Sequence, residues 1–274
     1  MPVLRWKYAA NFLSVDIMTE AVWKSARFRF YEELNDFLPP ERRKKEFDYT
    51  FREHPAVKDP IEALGVPHTE VDLILVNGKS VAFDYQLQDS DRVSVYPVFE
   101  SLDISPLVRL RPGPLRHPAF VLDVHLGKLA RLLRMLGFDT DYRNDFSDPE
   151  LVRISTEEQR TLLTRDRRLF FFRAVSRGYW LRHTDPEKQL REVLDRFDLY
   201  TQIEPFRRCI VCNGPLQKVE KAAVLDQLEP LTRRYYRLFR QCATCRKIYW
   251  RGTHFHHMNR MLNKTRRWAR DRRV

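Results

Sequence analysis

The fold of this chain is decided by residues 120–137, which read FVLDVHLGKLARLLRMLG. The apolar run at 120–122 ends in Asp123, and the leucines at 126, 129, 132, 133 and 136 then follow the spacing of a helix with one buried face. Gly137 is typical of the residue that ends such a helix. The pattern predicts a short buried strand that leads directly into a helix, as in a parallel α/β domain.

A second apolar run, at 161–165, ends in another carboxylate, Asp166, and Asp148 lies between the two runs. Acidic residues placed just after buried strands lie at the carboxyl edge of a parallel sheet, where open α/β folds bind their ligands. Carboxylates brought together repel one another and need a proton or a hard cation. The three residues therefore predict a Mg²⁺ or Mn²⁺ site suited to phosphodiester hydrolysis.

Helix capping is the simpler interpretation of the same three acids, because Asp is among the commonest helix N-caps. Asp148 fits this interpretation best, since Pro149 and Glu150 follow it. The two roles are compatible. Three acids within one βαβ-like stretch favour the metal site.

The rest of this region alternates strands and helices. A strand is predicted at 138–142, a helix at 149–159, a further strand near 179–181 and a helix at 186–197 that Asp185 caps. Lys128, Arg131 and Arg134 form a basic stripe beside the apolar face of the first helix. This stripe is either a solvated surface or a set of phosphate contacts close to Asp123.

Residues 120–140, together with the segment Leu163-Thr164-Arg165-Asp166, resemble the Mut-seven C-terminal ribonuclease family, whose members are PIN-like nucleases. The resemblance covers about residues 119 to 260. It implies an α/β protein in which a PIN-like α/β/α parallel-sheet nuclease domain follows a ubiquitin-like domain, as is usual for the family in bacteria. It also implies a metal-dependent ribonuclease whose substrate is structured cellular RNA of the tRNA or rRNA class.

The resemblance implies roles for individual residues. Asp123 corresponds to the first metal-binding acid, Asp166 to the Asp of the Thr-Arg-Asp signature, and Asp148 to the acid that opens the intervening helix. Asp145 is a fourth candidate. Lys128 or Arg131 would stabilise the negative charge that develops during hydrolysis. The Glu that PIN domains commonly carry inside a helix has no clear counterpart here, which leaves the number of catalytic metal ions open.

The N-terminal segment has the pattern of a small β-rich domain. Strands are predicted at 26–31 and 47–51, a helix at 57–64, and a hairpin whose turn is Asn77-Gly78, followed by a strand at 91–97. The second half resembles a ubiquitin-like β-grasp domain, as in the small sulfur carriers. Those carriers end in a free Gly-Gly, whereas this chain continues, so a docking role with a possible protein partner is favoured over carrier chemistry.

Four prolines between positions 106 and 118 mark a semi-rigid linker. We therefore expect four parts: a β-grasp domain at 1–105, the linker at 106–118, the nuclease domain at 119–206 and a zinc-ribbon-like basic element at 207–274.

The four cysteines of the chain form two Cys-x-x-Cys pairs, Cys209 with Cys212 and Cys242 with Cys245. Two such pairs can enclose a tetrahedral structural Zn²⁺. The 29 residues between the pairs exceed the usual ribbon spacing, so a helical insertion at about 216–240 is expected. Disulfides and a thioredoxin-type redox pair are the alternatives, and a cytoplasmic protein with two pairs disfavours both.

The net charge of +12 is concentrated at the C-terminal end, since residues 207–274 hold 18 basic and 4 acidic residues. A basic block of this size, interleaved with aromatic residues such as Tyr249, Trp250 and Trp268, predicts contact with RNA. A solvated tail is the alternative. No apolar run is long enough to span a bilayer and the N-terminus lacks a secretory signal, so we expect a cytoplasmic protein without membrane contact.

Two other functional classes remain open from the sequence. One is a non-catalytic RNA-binding or ribosome-associated factor, and the other is an interaction adaptor that works through its β-grasp domain. DNA in place of RNA also remains open, because phosphate contacts alone do not distinguish the two polymers.

Overall fold

The computed structural model describes residues 22–97, 110 and 118–271, without the side chains at positions 253, 254, 256 and 257. Most of the predicted proline-rich linker lies outside the described residues. The side chains of His254, His256 and His257, which follow the second cysteine pair, also lie outside the described residues.

The N-terminal domain is a five-stranded mixed sheet with one short helix. Its elements are β1 (Lys24–Phe30), β2 (Phe47–Phe51), α1 (Lys58–Ala63), β3 (Val71–Val76), β4 (Lys79–Val81) and β5 (Arg92–Pro97). The strand order is β2-β1-β5-β3-β4, with β1 parallel to β5 and the other neighbours antiparallel. This is the predicted ubiquitin-like β-grasp arrangement.

The turn between β3 and β4 forms where the sequence predicts it. Asn77 and Gly78 both adopt positive φ, 51° and 80°, as a two-residue hairpin requires. Above the sheet, Ile61 of α1 packs against Phe28, Ile74 and Val95, and all four side chains are fully buried. Each such side chain contributes roughly 1.5–3 kcal/mol of burial free energy.

The second domain is a four-stranded parallel sheet between helices. Its elements are β6 (Ala119–Leu122), α2 (Gly127–Leu136), β7 (Asp139–Asp141), α3 (Asp148–Glu157), β8 (Thr161–Thr164), β9 (Gly178–Trp180) and α4 (Pro186–Arg196). The order is β7-β6-β8-β9, and each neighbouring pair is parallel. The predicted alternation of strands and helices is therefore confirmed.

Alternate residues of the strands face opposite layers of this domain. Phe120, Leu122 and Leu163 pack with the leucines of α2 and α4, whereas Val121 and Leu162 pack with α3. Gly137 ends α2 with a φ of 100°. A Cβ atom there would lie 2.1 Å from the Glu204 carbonyl oxygen. Both the positive φ and this close approach therefore require glycine at the position.

The C-terminal part contains a small antiparallel sheet and a long helix. Its elements are β10 (Leu216–Val219), α5 (Lys221–Val224), α6 (Pro230–Tyr235), β11 (Phe239–Cys242), β12 (Ile248–Trp250) and α7 (Thr253–Asp271), and the sheet order is β10-β11-β12. The expected helical insertion is present as α5 and α6. Met261 and Leu262 of α7 join the core formed by α2 and α4.

Both edges of the parallel sheet are covered by other parts of the chain. The Trp180 amide of β9 donates to Glu70 Oε1 of the β-grasp domain at 2.9 Å. The Thr140 amide of β7 donates to Asn213 Oδ1, beside the first cysteine pair, at 3.0 Å. Each of these two edge amides therefore has a side-chain acceptor from another part of the chain and cannot pair with a further strand.

Two expectations differ from the structure. Ser147, and not Asp148, is the N-cap of α3, and it forms a capping box with Glu150. Arg134 does not belong to an exposed stripe. It is 3% exposed and donates to the carbonyl oxygens of Thr140 and Val211, so the first cysteine pair covers that side of α2.

Among the described helices, none combines the length and the apolar composition needed to cross a membrane.

Candidate active site

The carboxyl ends of β6 and β8 meet at the point where the chain changes direction across the sheet. From β6 the chain moves to β7 on one side, and it later returns to β8 and β9 on the other side. Such a switch in strand order marks the place where open α/β sheets bind ligands. Asp123 follows β6 directly, and Asp166 lies two residues beyond the end of β8.

Thr164, the last residue of β8, joins these two acids. Its hydroxyl donates to Asp123 Oδ2 at 2.7 Å and accepts from the Asp166 amide at 2.8 Å. The Asp123 amide in turn donates to the Leu163 carbonyl oxygen at 3.1 Å. The three residues therefore form one hydrogen-bonded unit across the ends of the two strands.

The Asp123 side chain has the environment expected of a cation ligand. It is 8% exposed, and among the described residues no basic side chain forms an ion pair with it. A buried carboxylate that is compensated only by a neutral hydroxyl is costly unless a cation accompanies it. Hard carboxylate oxygens are also the ligands that Mg²⁺ and Mn²⁺ prefer.

Asp166 is held by the turn that follows it. Its carboxylate accepts from the Arg168 amide at 2.9 Å and from Arg168 Nε at 3.0 Å, and so it caps the short 3₁₀ turn Arg167–Phe171. These hydrogen bonds from Arg168 hold the pKa of Asp166 below its ordinary value. The carboxylate is therefore ionised at neutral pH, as a metal ligand must be, and its side chain is partly exposed.

The other two predicted acids lie at the start of α3. Asp148 is the first residue of that helix and its side chain is exposed. Asp145 is also exposed and forms two 2.9 Å hydrogen bonds with Arg143, which lower its pKa. The structure thus joins Asp123 to Asp166 through Thr164, and it pairs both Asp166 and Asp145 with an arginine, Arg168 and Arg143 respectively.

The predicted aspartates do not form a closed ligand cage. Within the part of the chain that the structure describes, the one group of three or more acidic, histidine or cysteine residues whose ligand atoms all lie within 4.8 Å is the set of four cysteines. A metal ion bound by Asp123, Asp148 and Asp166 therefore requires side-chain rotation. Asp148 and Asp166 are exposed enough to permit it.

Lys128 and Arg131 lie on the exposed side of α2, one turn apart. The helix begins four residues after Asp123, and the 3₁₀ turn Val124–Leu126 connects them. Tyr142 fixes this connection, because its hydroxyl donates to the Val124 carbonyl oxygen at 2.9 Å. This bond therefore holds the backbone that connects Asp123 to the helix carrying the two cations.

The four cysteines cluster in a second site beside β7. The Sγ atoms of Cys209 and Cys245 are 3.6 Å apart, and those of Cys212 and Cys242 are 3.4 Å apart. Four thiolates bound to Zn²⁺ at about 2.3 Å would be separated by roughly 3.8 Å, and a disulfide would require about 2.05 Å. The four thiols are free and are arranged like a zinc site.

The environment of the thiols also favours a cation. Burial alone would raise the pKa of Cys209, but hydrogen bonds, first of all with the Tyr249 hydroxyl at 2.9 Å, bring it down to about 7. Burial and the neighbouring thiols raise the pKa of Cys212 to about 12. One thiolate therefore forms readily, but its negative charge disfavours ionisation of the neighbouring thiols. A bound dication would neutralise this charge and allow the other thiols to ionise.

The first cysteine pair is docked on the parallel sheet through a polar cluster around Asp139. Its carboxylate accepts from Arg160, Arg208 and Asn213 at 2.7–2.8 Å. Burial would raise the pKa of Asp139, but the hydrogen bonds from Arg160 and Asn213 keep it below its ordinary value. The zinc-like cluster and the sheet are thus joined by a charged contact.

The sequence pattern predicted no separate role for Thr164, Arg168 or Asp139. Thr164 and Arg168 lie two residues before and after Asp166, so their positions in the sequence already indicated that they could contact this residue. No pattern in the sequence indicated the role of Asp139, because its partners Arg208 and Asn213 lie about 70 residues further along the chain.

Comparison with protein families gives two matches. The Mut7-C RNAse domain matches residues 118–262, and the Mut7-C ubiquitin domain matches residues 23–103. No curated protein and no solved structure matches the chain. The nuclease match includes both cysteine pairs and most of α7, so these parts lie inside the family's own domain.

Proposed function

We propose that this chain, which belongs to the Mut7-C RNAse domain family, is a metal-dependent ribonuclease that hydrolyses phosphodiester bonds at Asp123, Asp148 and Asp166. The observation that carries this proposal is the hydrogen-bonded unit Asp123–Thr164–Asp166 at the switch point of the sheet. A purely structural role would not require, at this edge, a buried carboxylate that forms no ion pair with any described basic side chain.

The three aspartates would hold Mg²⁺ or Mn²⁺, and Asp145 would join them only by leaving Arg143. When bound, such an ion polarises the phosphate and helps to activate water. Thr164 keeps Asp123 in one orientation, and Arg168 keeps Asp166 ionised. These two residues act on the ligands and not on the substrate.

Lys128 and Arg131 are proposed to bind the phosphate oxygens that gain negative charge during hydrolysis. Both are exposed on the helix that follows Asp123. Arg134 is excluded from this role, because its guanidinium is buried against backbone carbonyl oxygens.

Structured RNA of the tRNA or rRNA class is the proposed substrate. The basic excess of residues 207–274 supplies the electrostatic attraction. Arg266, Arg267 and Arg270 are exposed on α7, which packs on the nuclease core through Met261 and Leu262. RNA bound along this helix would therefore be held by a part of the chain that is fixed to the nuclease domain.

Zinc is proposed as a structural ion at the four cysteines. It would fix the turn whose Val211 carbonyl oxygen accepts from Arg134, and whose Asn213 side chain covers β7. Through these contacts the zinc site would support the sheet that carries Asp123.

The β-grasp domain is proposed to brace the active-site turn. Its Glu70 covers the edge of β9, and His68 Nε2 lies 3.1 Å from the Val175 carbonyl oxygen, just beyond the turn that Asp166 caps. Arg167 of this turn lies over the rings of Phe37 and Trp180, at 6.0 and 5.0 Å from their centroids. A protein partner would bind this domain on its remaining surface.

The decisive experiment incubates the purified chain with total cellular RNA, with and without Mn²⁺, and maps the new RNA ends. The Asp123→Asn variant is the control for a contaminating nuclease. Metal-dependent ends that are absent with the variant support the proposal and identify the substrate. RNA binding without any new ends would instead indicate a non-catalytic binding factor.

A further inference from the structure

Phe171 and Phe172 form an exposed aromatic pair at the end of the turn that Asp166 caps, with Phe171 as the last residue of the turn. Their side chains are 40% and 47% exposed. Single exposed apolar residues are common on protein surfaces, but two adjacent aromatic rings beside a candidate active site are not explained by packing.

The backbone that carries the pair is anchored on both sides. On one side Leu169 and Phe170 are buried. Phe170 fits so closely over Gly178 that a Cβ atom there would lie 2.4 Å from its ring. The glycine of β9 is therefore needed to seat the turn.

On the other side, the segment after the pair contacts α3 and the β-grasp domain, where His68 Nε2 lies 3.1 Å from the Val175 carbonyl oxygen. The Ala174 carbonyl oxygen lies 3.0 Å from the Thr156 hydroxyl of α3, which it shares with the Val152 carbonyl oxygen at 2.8 Å. The Val175 amide donates to the Phe172 carbonyl oxygen at 3.0 Å, and the Val175 side chain is buried. The two rings are thus presented by a fixed backbone, which reduces the entropy that ligand binding would cost.

The surroundings of the pair are basic. Arg165, Arg168 and Arg173 are all exposed within the nine-residue segment 165–173. An aromatic pair without charges would suit an apolar protein partner, whereas aromatic rings among arginines are complementary to unpaired nucleotides, which combine stacking faces with phosphates.

The pair is also close to Asp166 along the chain. The turn Arg167–Phe171 follows Asp166 directly and spans five residues, so it is roughly 10 Å long at about 2 Å per residue. A nucleotide next to the cleaved phosphate is within reach of rings at this distance.

We propose that Phe171 and Phe172 form a nucleobase subsite that stacks unpaired RNA bases beside the cleaved bond, so that the enzyme selects single-stranded segments. This inference rests on the proposed ribonuclease function, because it places the subsite relative to Asp166. It narrows the substrate from structured RNA in general to loops or ends within such RNA. Bases inside a duplex are stacked on each other and do not present their faces to the protein.

The test measures binding and cleavage separately. Binding uses the full chain with Asp123→Asn, in Mg²⁺, and a short single-stranded RNA that contains 2-aminopurine, whose fluorescence reports stacking. A duplex of the same length is the comparison ligand. Variants carry Phe171 and Phe172 both changed to Ala, to Leu or to Tyr, and Trp23→Ala, an exposed aromatic residue of the β-grasp domain, is the matched control.

We expect the Ala pair to weaken single-strand binding by about tenfold or more, since one stacked base is worth about five- to a hundredfold in affinity. The fluorescence change should disappear and duplex binding should stay the same. The Tyr pair should behave like the parent and the Leu pair like the Ala pair, because stacking needs an aromatic ring. Trp23→Ala should have no effect.

Three results would overturn the subsite: no preference of the parent for single strands, normal binding by the Ala pair, or rescue by the Leu pair. Rescue by Leu would show that the pair makes an apolar contact with protein. Cleavage by the wild-type chain is assayed separately with Mn²⁺. Absence of cleavage together with the expected binding pattern would refute the ribonuclease proposal and leave the subsite standing.

Discussion

The Thr164 hydroxyl donates a 2.7 Å hydrogen bond to Asp123 Oδ2 and thereby joins the ends of β6 and β8. Because the same hydroxyl accepts from the Asp166 amide, its hydrogen cannot rotate freely and Asp123 is held in one orientation. If a residue only orients a metal ligand, its loss raises the metal concentration that cleavage requires. If the residue is itself the ligand, its loss abolishes cleavage.

Thr164→Val keeps the shape of the side chain and removes the hydroxyl. We expect the Mn²⁺ concentration needed for half-maximal cleavage to rise about 10- to 100-fold, because loss of a group that orients a ligand weakens metal binding to that extent. Thr164→Ser retains the hydroxyl and should remain near wild type. Equal metal dependence of the Val and Ser variants would contradict this role.

Asp123→Asn and Asp166→Asn should each abolish cleavage, because each removes a charged ligand at nearly constant volume. Thermal unfolding should show that both variants are folded. The assay follows cleavage of a labelled RNA in Mg²⁺. If both variants cut at the wild-type rate, the assignment of the metal site is wrong.

The elements of this fold were predictable where a local pattern decides the structure. The apolar spacing of residues 120–137 gives β6 and α2, and Asn77-Gly78 gives the β3–β4 turn. The family resemblance then predicts the two domains, which the family matches confirm. The assignment of Asp148 as a cap failed, because both Ser147 and Asp148 are good caps and only the backbone conformation selects between them.

The environment of single side chains was less predictable, because it depends on residues that are distant along the chain. Arg134 lies three residues after the exposed Arg131, yet it is buried by backbone near position 211. Similarly, the contact of Glu70 with Trp180 joins positions 110 residues apart. The spacing of apolar residues within one helix or strand does not identify the distant residues that pack against it.

Protein purified without added metal should contain about one zinc per chain, since four thiolates complete a tetrahedral structural site. Cys209→Ser and Cys242→Ser replace buried ligands and should lose the zinc and lower the unfolding temperature. Zinc content is measured by elemental analysis of the native protein. Absence of zinc, together with titration of four free thiols, would refute the zinc site.

Glu70→Ala should destabilise the contact between the β-grasp and nuclease domains. Glu70 is fully buried and its carboxylate accepts from the Trp180 amide, so the change leaves a buried donor unpaired at a cost of about 1–3 kcal/mol. At roughly 2–4 °C per kcal/mol for a chain of this size, the unfolding temperature should fall measurably.

Glu70→Gln is the matched control for this change, because glutamine keeps an acceptor for the Trp180 amide and removes a buried charge. It should be more stable than the Ala variant, because it keeps that hydrogen bond and loses only the attraction between the Glu70 carboxylate and the Arg182 guanidinium. Cleavage should be slower with Ala than with Gln, since residues 68–70 contact the turn that follows Asp166. Equal stability and equal cleavage of the two variants would show that the β-grasp domain does not brace that turn.

Arg266, Arg267 and Arg270 test whether RNA follows α7. Charge removal is preferable to truncation here, because Thr265 is buried and Trp268 packs against the nuclease core. Changing the three arginines to Gln should weaken RNA binding and flatten the slope of log affinity against log salt by at most about 2, at roughly 0.7 per single-strand phosphate contact. Cleavage of a short oligonucleotide at saturating concentration should persist, because Asp123 and Asp166 are untouched.

The matched control changes three exposed lysines of the β-grasp domain to Gln, namely Lys44, Lys45 and Lys79. If both triple variants change the salt slope equally, the effect is one of net charge, and α7 is not the path of the RNA.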